Sequence, residues 1–179
     1  MEKHLHLLSE EARAGRLHNL ALCSTELGHF DEAARFHALA AEQFERLGLA
    51  VNRVKSRNSI GIVLHAAGRY EEAIVIIRQA WEELEALGMK GDAAVAALLL
   101  TETLLITGRT EEVPAIARML VDRCTRAGMA ASAMTALAFL RETIATGHAT
   151  PLHVRHVREF VRDTNMGRER PFAPLRGEV

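Results

Sequence analysis

The chain has 179 residues, a formal net charge of −1 and 49% hydrophobic residues. A charge so close to zero creates no general field that would draw the protein to nucleic acid or to an acidic membrane. Aromatic residues make up only 4% of the chain, and this scarcity favours helix packing over a β-sheet. The bulk properties therefore predict an all-α protein without a membrane partner, and they do not favour a nucleic-acid partner.

Apolar residues recur at helical spacing and predict four antiparallel helical hairpins along the chain. In chain order these hairpins are expected over residues 3–47, 50–87, 91–127 and 130–163. Together they define a predicted helical-repeat domain over residues 1–164. The periodicity ends after that, so residues 165–179 are expected to be a flexible C-terminal tail. Within the last hairpin, Thr150 is the expected N-cap and Pro151 the first residue of the final helix.

A turn of one type recurs at a fixed interval within this pattern. Gly28, Gly68 and Gly108 are 40 residues apart, and each precedes a pair of acidic residues, as in Gly68-Arg69-Tyr70-Glu71-Glu72. Glycine can adopt the left-handed conformation that ends a helix, and the acidic pair suits the positive end of the next one. A period of this length is typical of stacked helical hairpins rather than of one globular fold.

Small side chains occupy equivalent positions in the first three hairpins. The first helices carry Ala21, Gly61 and Thr101, and the second helices carry Ala33 and Ala73 after the turn and Ala40 and Ala80 further on. In the third hairpin the larger Val113 and Leu120 occupy these last two positions and match the pattern less well. These positions, with the glycine turn, resemble the tetratricopeptide repeat, in its long-helix form with a 40-residue period. The resemblance covers about residues 14–147 and implies a right-handed α-solenoid of about four hairpins.

The resemblance also implies a function, which is the binding of a peptide or protein segment without catalysis or cofactor. In that family the first helices of the hairpins line a concave groove. The positions that match it here, called the inner face, are His18, Thr25, Lys55, Asn58, Ile62, His65, Leu98, Glu102, Leu105 and Arg141. A solvated helix face explains the polar members as well, and packing against the fourth hairpin explains Leu98 and Leu105.

Two other functions stay open from the sequence. The ends of a short repeat array can pair with a second copy, so a self-associating scaffold is one alternative. The other is an RNA or metal binder that uses the last helix, where His153 and His156 share a face beside Arg155, Arg158 and Arg162. Asp163 or His148 would complete a metal site with this pair, but the other histidines are scattered and no cysteine lies near in sequence, so no metal site is expected. No stacking aromatics accompany the arginines.

The two cysteines, Cys23 and Cys124, lie in different predicted hairpins and should not meet. Both are expected to be buried, unreactive thiols in a reducing compartment. The first residues are too polar for a secretory signal, and no apolar run approaches the ~20 residues of a membrane span. A cytoplasmic protein is therefore expected, and its composition, rich in alanine and arginine, has a bacterial character.

Overall fold

The computed structural model describes residues 2–168 and 170–175, with the backbone alone for residues 2–9. These residues form eight α-helices and no strand. In chain order the helices are α1 (Glu2–Glu26), α2 (Phe30–Arg46), α3 (Ala50–Ala66), α4 (Tyr70–Ala86), α5 (Lys90–Ile106), α6 (Val113–Arg126), α7 (Ala131–Ala145) and α8 (Pro151–Asn165). The predicted all-helical class is confirmed.

The turns follow the predicted glycine pattern. Each of these helices ends before a glycine with positive φ, and these are Gly28, Gly48, Gly68, Gly88, Gly108, Gly128, Gly147 and Gly167. Their φ values lie between 67° and 76°, where a residue with a Cβ is strained. The recurring glycines therefore end the helices because few other residues tolerate that conformation.

The residue that follows the glycine makes a recurring ion pair across the turn. Arg69 donates from Nη2 to Oε2 of Glu72 at 2.6 Å, and Arg109 donates from Nη2 to Oε1 of Glu112 at the same distance. Arg69 also reaches the carboxylate of Asp31 in the preceding turn, at 3.0 Å. Its hydrogen bond lowers the pKa of Glu72 below the ordinary value. The 40-residue period thus repeats side-chain contacts as well as backbone conformation.

The third hairpin departs from the others at the start of its second helix. Residues Thr110–Glu112 form a 3₁₀ turn, and α6 begins only at Val113. Pro114 lies in the first turn of α6 and has no N–H to donate to the carbonyl of Thr110, so an α-helical turn cannot close there.

The described residues divide into two compact units, one up to Leu87 and one from Gly88. In the first unit, α1 packs against α2, α2 against α3, and α3 against α4. Small residues lie at these contacts, since Ala21, Ala33 and Ala73 are fully buried. At Gly61 the approach is closest, because a Cβ there would lie 2.5 Å from Cγ1 of Ile77. The first unit is therefore a sequential row of helices held close by small residues.

The second unit is arranged differently, because its first helix packs against its last. Helix α5 contacts α6 and α8, and α7 contacts α6 and α8, so the four helices form a closed ring. The cause is the composition of α5, which is apolar on every side and buries every residue from Ala96 to Leu104. A helix of this kind must be surrounded, whereas an amphipathic helix needs a neighbour on one face only.

Helix α8 begins as predicted, with Thr150 as its N-cap. The Thr150 Oγ1 accepts from the backbone N–H of His153 at 3.3 Å, and the His153 ring accepts from the N–H of Thr150. The helix ends at Asn165, where the periodicity ends. The described residues 170–175 lie against α7 and α8, since Phe172 contacts rings on both helices. Within the predicted tail, residues 170–175 therefore make specific contacts, which a flexible tail would not make.

The close contact at Gly61 gives a first prediction. Gly61→Ala should lower the free energy of unfolding by roughly 1 kcal/mol or more, because the new methyl group overpacks Ile77. Gly15→Ala is the matched control, since nothing lies within 4 Å of the added Cβ and alanine is the better helix former. Urea denaturation should give opposite signs for the two variants, and a stable Gly61→Ala would contradict the close approach.

Candidate functional site

The first unit has an open groove between α2 and α3, with a volume of about 650 Å³. We call it the α2–α3 groove, and it is lined by Ala38, Ala41, Glu42, Glu45, Arg46, Arg53, Arg57 and Ile60. The three apolar members form its floor, and the charged members lie around them. Its volume is within the range of about 300–1,000 Å³ that ligand sites occupy.

Most of the charges around this groove are paired with one another. Arg53 donates from Nε to Glu45 at 2.7 Å and from Nη2 to Glu83 at 2.6 Å. Arg57 donates from Nη1 to the other oxygen of Glu83 at 2.8 Å. The network joins α2, α3 and α4, and it places both arginines beside the floor.

Two charged residues of the groove lie outside this network. Among the described residues, no ion pair is recorded for Glu42 or for Arg46, and both side chains are exposed. They lie one turn apart near the end of α2, where the negative end of the helix dipole favours the arginine. Arg46 therefore offers an unpaired cation at one end of an apolar floor.

The groove lies on the side of α3 away from the predicted inner face. With 3.6 residues per turn, Arg53, Arg57 and Ile60 share one side of the helix. Lys55, Asn58 and Ile62 share roughly the opposite side. The i, i+4, i+7 spacing of Arg53, Arg57 and Ile60 is the sequence signal that could have predicted this side of α3 as a surface.

The inner-face residues of the first unit are only partly open. Lys55 and Ile62 are exposed, whereas His18, Thr25, Asn58 and His65 are half-buried. The Thr25 hydroxyl donates to the carbonyl of Ala21, and the His65 ring packs against Tyr70. The buried Oδ1 of Asn58 has no hydrogen-bond partner among the described residues. The binding role of these six residues stays a prediction.

In the second unit the inner-face prediction is wrong for two of its residues. Leu98 and Glu102 are both 0% exposed, so neither lines a groove open to a partner. The reason is the closed ring, which places α8 over α5. Leu105 is half-buried and Arg141 is exposed, and their role in binding stays a prediction.

Glu102 instead holds α5 to α8 through two arginines. Arg155 Nε donates to Oε1 at 2.8 Å, and Arg158 Nη2 lies 3.1 Å from Oε2. The carboxylate is fully buried, whereas the Arg155 side chain is 47% exposed. Because a buried charge is costly without a counter-charge, these contacts are structural.

Ion pairs with carboxylates account for most of the basic cluster at the last helix, and Glu102 already pairs with Arg155 and Arg158. Asp163 lies beside the other arginines, with Arg162 at 3.9 Å, Arg168 at 3.6 Å and Arg170 at 3.5 Å. These neighbouring carboxylates weaken any attraction of the cluster for RNA phosphates.

The histidines on the last helix also have contacts of their own. The His153 ring bonds Thr150, and Nε2 of His156 lies 2.8 Å from the carbonyl oxygen of Ala173. The described residues contain no group of three or more metal-ligating side chains. Both cysteines are free thiols, and Cys124 is buried as expected, whereas the same expectation for Cys23 is wrong because it is exposed.

His37 is a buried titratable group of the first unit with a strongly lowered pKa. It is 1% exposed, and its ring packs edge-on against that of His18, with 5.2 Å between centroids. Burial and, secondarily, the neighbouring His18 lower the pKa of His37 from 6.5 to about 4. Its buried Nδ1 has no hydrogen-bond partner among the described residues. His37 is therefore neutral at pH 7 and resists protonation.

No family model, curated protein or solved structure that was compared matches this chain. Along the described part of the chain, none of the helices is long and apolar enough to cross a membrane.

His37 gives a prediction of acid sensitivity. The unfolded chain binds a proton near pH 6.5, whereas the folded chain does so only near pH 4, so acidification between these values favours unfolding. The free energy of unfolding should fall by about 3 kcal/mol across that window because of this group. Urea denaturation at several pH values measures the slope. His37→Gln should reduce it and His148→Gln, at an exposed site, should not; equal slopes would refute the assignment.

The buried carboxylate gives a prediction for the second unit. Replacing both Arg155 and Arg158 by alanine should lower the free energy of unfolding by about 3 kcal/mol, since Glu102 loses two cationic contacts without access to water. Thermal or urea denaturation measures the loss. Arg162→Ala, one exposed arginine on the same helix, should change stability by less than about 1 kcal/mol. A double variant as stable as this control would show that the contacts do not support α8.

Proposed function

We propose that this chain is a non-enzymatic helical-repeat module of the tetratricopeptide type that binds a segment of another protein. The observation that carries the proposal is the α2–α3 groove, with its apolar floor and charged rim. An apolar centre surrounded by polar groups is the usual anatomy of a protein-binding surface. The recurrence of turn glycines and small buried residues every 40 residues supports the assignment to this repeat type.

The charges of the groove favour a protein segment over a nucleic acid. Glu45 and Glu83 neutralise Arg53 and Arg57, and Glu42 adds a further negative charge. A phosphate backbone would be repelled by these carboxylates as it approached the arginines. The lining contains no serine or cysteine nucleophile and no histidine beside one. Binding is thus the chemistry that this groove supports.

The lining also indicates what the bound segment looks like. Ala38 and Ala41 are small and leave space above Ile60, so apolar side chains of the partner can enter. Arg46 lies at one end of this floor and can pair with a carboxylate of the partner. We propose an amphipathic segment that has an apolar face and an acidic residue at one end. The ionic network already orders Arg53 and Arg57, so little further entropy is lost on binding.

The proposed setting is the cytoplasm, because Cys23 and Cys124 are both free thiols and a reducing compartment keeps them so.

The test uses a random 12-residue peptide library selected on the full-length chain, followed by affinity measurement of the selected peptides. Ala38→Glu combined with Arg46→Glu should weaken binding about ten-fold or more, because it charges the floor and removes the free cation. Lys55→Glu is the matched control on the opposite side of α3 and should change affinity less than two-fold, as expected for a remote charge. Isothermal titration calorimetry gives the dissociation constants.

The reverse pattern, with loss only in Lys55→Glu, would move the site to the inner face and contradict the groove. Failure to select any peptide, with a folded chain, would refute peptide binding as such. A chain whose mass doubles with concentration in light scattering would favour the self-associating scaffold instead.

A further inference from the structure

We infer that α7 and α8 carry a second peptide-binding site, which the chain's own C-terminal segment occupies. The site is formed by Phe139 on α7 and by His153, His156 and Phe160 on α8, and we call it the aromatic pocket. Its ligand is a phenylalanine that lies between two prolines and follows an arginine.

The central contact is the side chain of Phe172. Its ring centroid lies 5.1 Å from that of Phe160, 5.4 Å from that of His156 and 5.6 Å from that of Phe139. The ring pair with Phe160 is edge-to-face, and all three distances are within the favourable range for aromatic pairs. Three of the six phenylalanines of a chain with only 4% aromatic residues meet here. This concentration distinguishes the pocket from the Ala- and Leu-rich core.

Polar contacts on both sides of Phe172 fix the position of the segment. The carbonyl of Ala173 accepts a hydrogen bond from Nε2 of His156 at 2.8 Å. Arg170 lies 3.5 Å from the carboxylate of Asp163, and its guanidinium lies 5.8 Å from the centroid of the Phe160 ring. Such a cation above an aromatic face is attracted by the ring. A side-chain pocket, a main-chain hydrogen bond and a charge pair together are the elements of peptide recognition.

The segment is suited to act as a ligand because it is not part of a helix. Residues 170–175 are described without regular structure, and α8 has already ended at Asn165. Pro171 and Pro174 disfavour the helical conformation for the residues that precede them. Such a segment enters a binding site in one extended conformation at a small entropic cost.

The buried face of α8 packs against the other helices of the closed ring. Val154, Val157 and Val161 are fully buried and belong to the face that packs inside the unit. His156 and Phe139 are only half-buried, so the pocket lies at the surface of that core. A segment with the same chemistry from another protein can therefore reach the pocket once Phe172 has left it.

The covalent link between α8 and the C-terminal segment explains how the site is regulated. A segment joined to its site by a short linker has an effective concentration in the millimolar range. An external peptide must compete with it, so the intact chain binds such a partner weakly. Displacement or modification of the chain's own segment then exposes the site.

The experiment uses the full-length chain and a fluorescein-labelled peptide with the sequence of residues 168–175. Phe172→Ala should vacate the pocket without affecting the helices, because residue 172 lies outside them. Fluorescence anisotropy should show that this variant binds the peptide at least about ten-fold more tightly than the wild-type chain. Phe36→Ala is the matched control, since it alters a half-buried phenylalanine on α2 and should bind as weakly as the wild type.

Specificity is tested in the peptide and in the pocket. A peptide with alanine in place of phenylalanine should lose binding to the Phe172→Ala chain. Adding His156→Ala to that chain should weaken its binding of the intact peptide by about ten-fold, because a hydrogen bond and a ring contact are lost.

The inference would be overturned if a folded Phe172→Ala chain did not bind the peptide. It would also be overturned if that chain bound the intact and the alanine peptide equally, or if the wild-type chain bound the intact peptide as tightly as the variant. Circular dichroism establishes that each variant is folded. The pocket lies in the second unit and the α2–α3 groove in the first, so failure of one proposal leaves the other standing.

Discussion

The structure depends on the close approach of neighbouring helices at small side chains. Gly61 has no room for even a methyl group beside Ile77, and the equivalent positions of α1 and α5 are the buried Ala21 and Thr101. Contacts this short require each helix to stop and reverse at a defined point. The glycines with positive φ allow that reversal, so the turn pattern and the packing pattern share one 40-residue period.

The two units share this local chemistry but differ in where they place apolar surface. Helix α3 is apolar on part of its circumference, which leaves Arg53 and Arg57 exposed enough to line a groove. Helix α5 is apolar all round, so α6 and α8 must both pack against it. Glu102 is a buried charge on that helix, and the arginines of α8 neutralise it. The proposed binding surface of the first unit therefore lies between helices, whereas the one proposed for the second unit lies on the outside of α7 and α8.

The candidate sites were less predictable than the helices. Arg53 and Arg57 were visible in the sequence as a basic cluster, but a solvated helix face accounts for such a cluster equally well. The groove arises because Ala38 and Ala41 on α2 face Ile60 on α3, which a single-helix pattern cannot show. For the aromatic pocket there was no periodic signal, since Phe139 and Phe172 belong to different elements and one lies outside every helix.

The sequence by itself determined the all-helical class, the positions of the glycine turns and the small residues at helix contacts. These features are local, since they follow from the conformational freedom of glycine, the capping by Thr150 and the 3.6-residue period. Only the tertiary structure decided that Leu98 and Glu102 are buried and that the groove lies opposite the predicted inner face. The physical reason is that burial depends on which helices meet, and α5 meets α8 through contacts between residues more than 50 positions apart.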